Sequence, residues 1–134
     1  MDATTGCVLL ADRHHGLSEG VRGLLETTFD TVFMVGDESS LLDGAQRLKP
    51  PVVIVDVVFA AGDLQGLLGR VIVRSPQSKI VVLTVYDAAS VADSALRGGA
   101  HGVVLKRCIA TDLLSAIDEV RAGRTYVSPG LSHA

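Results

Sequence analysis

Residues 52–58 read VVIVDVV, six β-branched residues around one carboxylate, Asp56. A continuous apolar run, rather than an alternating one, is what a strand buried on both faces of a parallel sheet shows. A lone carboxylate in such surroundings is costly, so it calls for a partner or a function. Outward from this stretch, similar short runs recur: Cys7–Ala11 (CVLLA), Thr31–Val35 (TVFMV), 80–84 (IVVLT) and Gly102–Leu105 (GVVL). With Val52–Asp56 they make five strands.

Helical spacing fills the gaps. Leu17, Val21, Leu24 and Leu25 share one face, and Leu41, Ala45 and Leu48 share another, stopped by Pro50 and Pro51. Leu64, Leu67, Leu68 and Val71 mark a third helix. Val91, Ala95 and Leu96 mark a fourth, ended by Gly98 and Gly99. Leu113, Ile117 and Val120 mark a fifth, with Thr111 as its expected cap and Gly123 as its end. Strict alternation of strand and helix predicts an α/β fold, a parallel sheet with helices on both faces and right-handed crossovers.

The 134 residues suit one domain with a single sizeable core. With 4% aromatic residues and no Trp, that core is aliphatic. A net charge of −3, with no Lys/Arg stripe, weighs against a nucleic-acid surface on this chain. Cys7 and Cys108 lie in apolar stretches without zinc-like spacing and read as small buried hydrophobes. His14 and His15 are adjacent and lack further ligands, which disfavours a metal site. There is no signal-peptide pattern and no bilayer-spanning run, so the cytoplasm is the expected location and no membrane partner is implied.

In open parallel sheets, ligands bind beyond the carboxyl ends of the strands, where strand order reverses. Those ends carry Asp12 and Arg13, then Asp56, then Thr84, then Lys106. Singly, Asp12 reads equally well as a turn residue, Thr84 as a strand residue and Lys106 as a solvated charge. Together they suit phosphoryl transfer: a carboxylate nucleophile, a second carboxylate toward Mg²⁺, and a hydroxyl and an ammonium for the phosphoryl oxygens. No Gly-rich loop follows the first strand, which sets aside a nucleotide- or flavin-binding enzyme. No hydrolytic triad or paired-glutamate arrangement is present either.

Four segments resemble the receiver domains of two-component response regulators, in the NarL/LuxR-type branch. They are VLLADRHHGLSEGVRGLLE (8–26), VVIVDVVF (52–59), VVLTVYD (81–87) and ALRGGAHGVVLKR (95–107). The resemblance implies a flavodoxin-like five-stranded sheet of order 2-1-3-4-5. It implies Asp56 as phosphoacceptor, Thr84 and Lys106 as phosphoryl contacts, and Mg²⁺ held by Asp12, Asp56 and the Val58 carbonyl. A histidine kinase is the implied donor, and a switching protein-interaction face the implied output. At most, self-catalysed phosphotransfer and dephosphorylation are expected, so the chain is not read as an enzyme.

This sequence departs from the pattern at several points. The usual acidic pair appears as Asp12–Arg13, so the charges of Asp12, Arg13, Asp56 and Lys106 (−1 +1 −1 +1) sum to zero. A second acid would make the sum −2, so weak Mg²⁺ binding is expected. Arg13 either reaches Asp56 or swings into solvent. Val103 stands where the family has its switch aromatic, and Ala60 and Ala61 where a Pro is usual. Asp63 and Asp87 read as loop or cap residues, with Asp63 a secondary source of pocket charge.

Residues 1–123 thus read as the receiver, and 124–134 (RTYVSPGLSHA) resemble a linker to a helix-turn-helix output domain absent from this chain. DNA would be met only through that domain, with homodimerisation as another expected partner mode. The competing reading is a pseudo-receiver, a dimerisation or protein-binding module that works without phosphate; Arg13 and Val103 favour it.

Overall fold

The computed structural model describes residues 6–12, 15–60 and 62–131, with backbone alone over 15–19. Its elements are β1 (Cys7–Ala11), α1 (His15–Leu25), β2 (Thr31–Val35), α2 (Glu38–Leu48), β3 (Val52–Asp56), α3 (Leu64–Arg74), β4 (Lys79–Thr84), α4 (Ala89–Arg97), β5 (Gly102–Leu105), α5 (Ile109–Arg121) and β6 (Tyr126–Val127). All pairings are parallel, in the order β2-β1-β3-β4-β5-β6. The expected order is present, with a sixth strand added at the β5 edge.

Two-residue periodicity sorts the strands into two cores. Leu9, Ala11, Val53, Val55, Ile80, Val82, Val103 and Leu105 pack with Leu41, Ala45, Leu67, Leu68, Val71 and Ala95, from α2, α3 and α4. Val8, Leu10, Val52, Ile54, Val81, Leu83 and Val104 pack with Val21, Leu25, Leu113, Ile117 and Val120, from α1 and α5. Right-handed crossovers in this strand order require that division of helices. Both faces are covered, which is why β3 and β4 read as unbroken apolar runs.

Local signals explain the boundaries. Asp37 caps α2, its carboxylate accepting from the Ser40 amide at 2.7 Å. Lys49 then takes a left-handed conformation (φ 44°) ahead of the two prolines. Asp63 caps α3, accepting from the Gly66 amide at 3.0 Å, so it serves the helix and not the pocket. Gly99 (φ +109°) follows α4 in a backbone region only glycine enters freely, and a Cβ there would strike Ile72. Thr111 is not the cap of α5. Cys108 is, because the short 3-10 turn Lys106–Cys108 runs straight into the helix, and the Thr111 hydroxyl donates back to the Cys108 carbonyl.

β4 starts one residue earlier than its apolar run, at Lys79, whose amide reaches the Pro51 carbonyl. Next to it, the His101 ring accepts the Ile80 amide through Nδ1 at 3.0 Å, while the His101 amide donates to the Ile80 carbonyl. The ring stands in for a ladder acceptor one residue before β5 begins. Among the described residues, no helix is long and apolar enough to cross a membrane.

Burial, followed by the nearby Lys79 charge, holds His101 below its usual 6.5. Above that value the ring is neutral in folded and unfolded chains alike, and its contribution to stability is complete. As pH falls from 6.5 toward the lowered folded value, only the unfolded chain takes up the proton, and stability declines. Urea midpoints measured at about pH 7.5 and about pH 5.5 will show this decline. It will be smaller in His101→Gln.

Candidate functional site

The order of the sheet puts the carboxyl ends of β1 and β3 side by side, at the point where the chain reverses direction across it. Ala11 pairs with Val55, so Asp12 lies level with Asp56. Both are buried, Asp12 at 7% exposure and Asp56 at 2%. β4 brings Thr84, fully buried, one step beyond Asp56, since Asp56 pairs with Leu83. Thr84 pairs with Leu105, so Lys106 begins the turn one residue further along β5.

Lys106 bridges that offset with its four-carbon stem. Its Nζ forms an ion pair with Asp56 Oδ2, and its side chain is only 6% exposed. The other carboxylate oxygen, Oδ1, accepts the Val58 amide at 3.0 Å. Asp56 is therefore aimed by two donors, one a charge and one a backbone amide. Thr84 Oγ1 accepts the Tyr86 amide at 3.0 Å, which leaves its own proton to donate.

The structure thus brings Asp12, Asp56, Thr84 and Lys106 to one edge. Val58 sits in the 3-10 turn Val57–Ala60 directly after Asp56. The Val58 amide was not anticipated from sequence; the signal was an Asp two residues before a turn amide. Val103 is fully buried in β5. Asp87 is exposed and lies 3.6 Å from Arg107. Arg13 and His14 fall outside the described residues.

Among the described residues no group of three or more His, Cys, Asp or Glu side chains could hold a metal. Mg²⁺ asks for less. One or two carboxylates suffice when water or phosphate completes its shell. Asp12 and Asp56, buried and level with each other, meet that requirement with little charge to spare.

A family model described as "Response regulator receiver domain" matches residues 8–118. The chain belongs to that family. The receiver is 31% identical over 132 residues to the transcriptional regulatory protein MctR of Rhizobium johnstonii, covering 95% of this chain and 60% of that protein. It is 27% identical over 128 residues to the transcriptional regulatory protein DegU of Brevibacillus brevis, covering 94% and 54%. The receiver therefore spans little more than half the length of these curated relatives.

Its fold matches a two-component response regulator of the LuxR family from Aurantimonas sp. SI85-9A1, with TM-score 0.86, 23% identity, and 96% and 93% of the two chains covered. It also matches the isolated receiver domain of RcsB from Salmonella enterica serovar Typhimurium, with TM-score 0.78, 28% identity, and 95% and 96% covered. This is a receiver domain of the LuxR/NarL type of two-component response regulator.

Removing one partner from a buried ion pair leaves an uncompensated charge. Lys106→Met will cost about 3–5 kcal/mol in urea unfolding. The double variant Asp56→Asn/Lys106→Met will lose less than the two single changes summed, with a coupling of about 1–3 kcal/mol.

Proposed function

We propose that this receiver is a phosphorylation switch whose acceptor is Asp56. The buried Asp56–Lys106 ion pair, at the sheet edge that Thr84 shares, is the observation that supports this reading most strongly. A carboxylate oxygen of Asp56 attacks the phosphorus of a phosphohistidine on a partner histidine kinase. The O–P bond forms as the P–N bond breaks, and its electron pair stays on the imidazole nitrogen. An acyl phosphate results.

The Lys106 ammonium then shifts from the carboxylate to a phosphoryl oxygen, and the Thr84 hydroxyl donates to another. Asp12, Asp56 and the Val58 carbonyl would hold Mg²⁺, which when bound offsets phosphoryl charge. Because Arg13 occupies the position of the second acid, that binding is weak.

The switch would act in the cytoplasm, with residues 1–123 as receiver and 124–134 leading toward an output domain outside this chain, through which DNA would be met. A homodimer is the other partner mode proposed. RcsB itself has been solved as a complex with DNA. The second reading, a phosphate-independent pseudo-receiver, is favoured by Arg13 and by the missing ring at Val103.

Incubation with acetyl phosphate and Mg²⁺, followed by intact-mass measurement, separates the two readings. One phosphoryl mass will be gained, and Asp56→Asn will abolish the gain. No gain in the wild-type chain would leave the pseudo-receiver standing. Arg13→Glu will raise the labelling rate about tenfold, a ~1.4 kcal/mol effect of restoring an acid at the pocket.

A further inference from the structure

The C-terminal segment does more than trail from α5. Tyr126 and Val127 pair with Gly102 and Val103 as β6, and the Ser128 amide continues the ladder to the Val103 carbonyl at 2.9 Å. There the backbone ladder stops. The next ladder donor on β5 is the Leu105 amide, and it goes to a side chain: Ser128 Oγ accepts it at 3.0 Å. The same hydroxyl donates to Asp112 Oδ2, in the first turn of α5, at 2.8 Å.

Ser128 is fully buried. Tyr126 leans on the same carboxylate, and burial together with Asp112 pushes its phenol up. Leu131, at 2% exposure, closes the segment into the core that holds Val103 and Leu105. The backbone at Gly130 comes so close that a Cβ there would sit 2.9 Å from Leu105 Cδ1 and 3.5 Å from an Arg107 guanidinium nitrogen.

Leu105 is the residue immediately before Lys106. From these contacts we infer that Ser128 is a positioning residue for Lys106, so that the C-terminal segment registers which anion the ammonium holds. The connection runs from Asp56 to Lys106, through one peptide unit to the Leu105 amide, and through Ser128 Oγ to Asp112. When Lys106 moves from the Asp56 carboxylate to a phosphoryl oxygen, the Leu105 amide moves with it. The hydroxyl that bridges β5 and α5 must then follow or let go. Val103 is aliphatic and fully buried beneath this segment, so the connection needs no aromatic side chain to rotate. Its trigger rests on the proposed phosphorylation of Asp56, but the linkage itself does not.

The test uses amide exchange and side-chain NMR on the whole chain. In Asp56→Asn, which takes the anion from Lys106, exchange at Leu105, Ser128 and Leu131 will rise about fivefold or more relative to Leu9 and Ile54, as for the loss of one hydrogen bond. In Ser128→Ala, the Lys106 Cε resonance will shift and acetyl-phosphate labelling will slow by about fivefold. Because Ser128→Ala orphans a buried amide, Asp112→Ala serves as the second variant. It loosens the hydroxyl without orphaning that amide and will move the same resonance less. Unchanged exchange ratios in Asp56→Asn, or an unmoved Lys106 resonance in both other variants, would overturn the inference. Absence of labelling in the wild-type chain would count against the phosphoacceptor reading alone.

Discussion

A carboxylate at the end of a central strand, almost wholly withdrawn from water, is the constraint around which the molecule is arranged. Asp56 is 2% exposed, and burying it alone would cost several kcal/mol. Lys106 offsets this, but Lys106 follows directly on β5, two strands away, and reaches Asp56 only if β4 lies between them in register. β1 must lie on the other side to deliver Asp12. The strand order, the parallel direction and the aliphatic interior of the central strands are what allow one charged pair to form at one edge. A shift of a single residue in β4 or β5 would turn its side chains to the opposite face and scatter the group.

Most of this was legible in the chain because buried parallel strands carry an unusually clear signature. The five main strands stand where the β-branched runs placed them, with β4 longer by Lys79 alone. Asp12, Asp56, Thr84 and Lys106 were legible because strand ends in such sheets converge by geometry. What escaped was short or depended on tertiary contact. β6 is two residues long, too brief for periodicity to register, and it forms because β5 would otherwise present an unpaired edge. Nothing local marks His101 as an acceptor for Ile80, or Ser128 as an acceptor for Leu105. Thr111 looked like a cap because the 3-10 turn before α5 leaves no trace in spacing.

The two departures from the family pattern bear on different halves of the proposed function. In the proposed switch, an arginine at position 13 in place of a second acid would lower the divalent charge the pocket attracts, and with it the rate at which a phosphoryl group arrives. Val103, in place of a ring, would alter how that arrival is read out. The clip formed by Tyr126, Ser128 and Asp112 lies where that readout is needed, one peptide unit from Lys106. A chain without the usual ring can therefore still join its acidic cleft to its C-terminal segment.

The most direct test of the acceptor assignment is chemical trapping. Sodium borohydride reduces an aspartyl phosphate to homoserine, which marks the acceptor permanently for peptide sequencing. After treatment with a phosphodonor, homoserine is predicted at position 56 and nowhere else. Homoserine at Asp12, Asp63 or Asp87 instead, or none at any position of a demonstrably phosphorylated chain, would contradict the account.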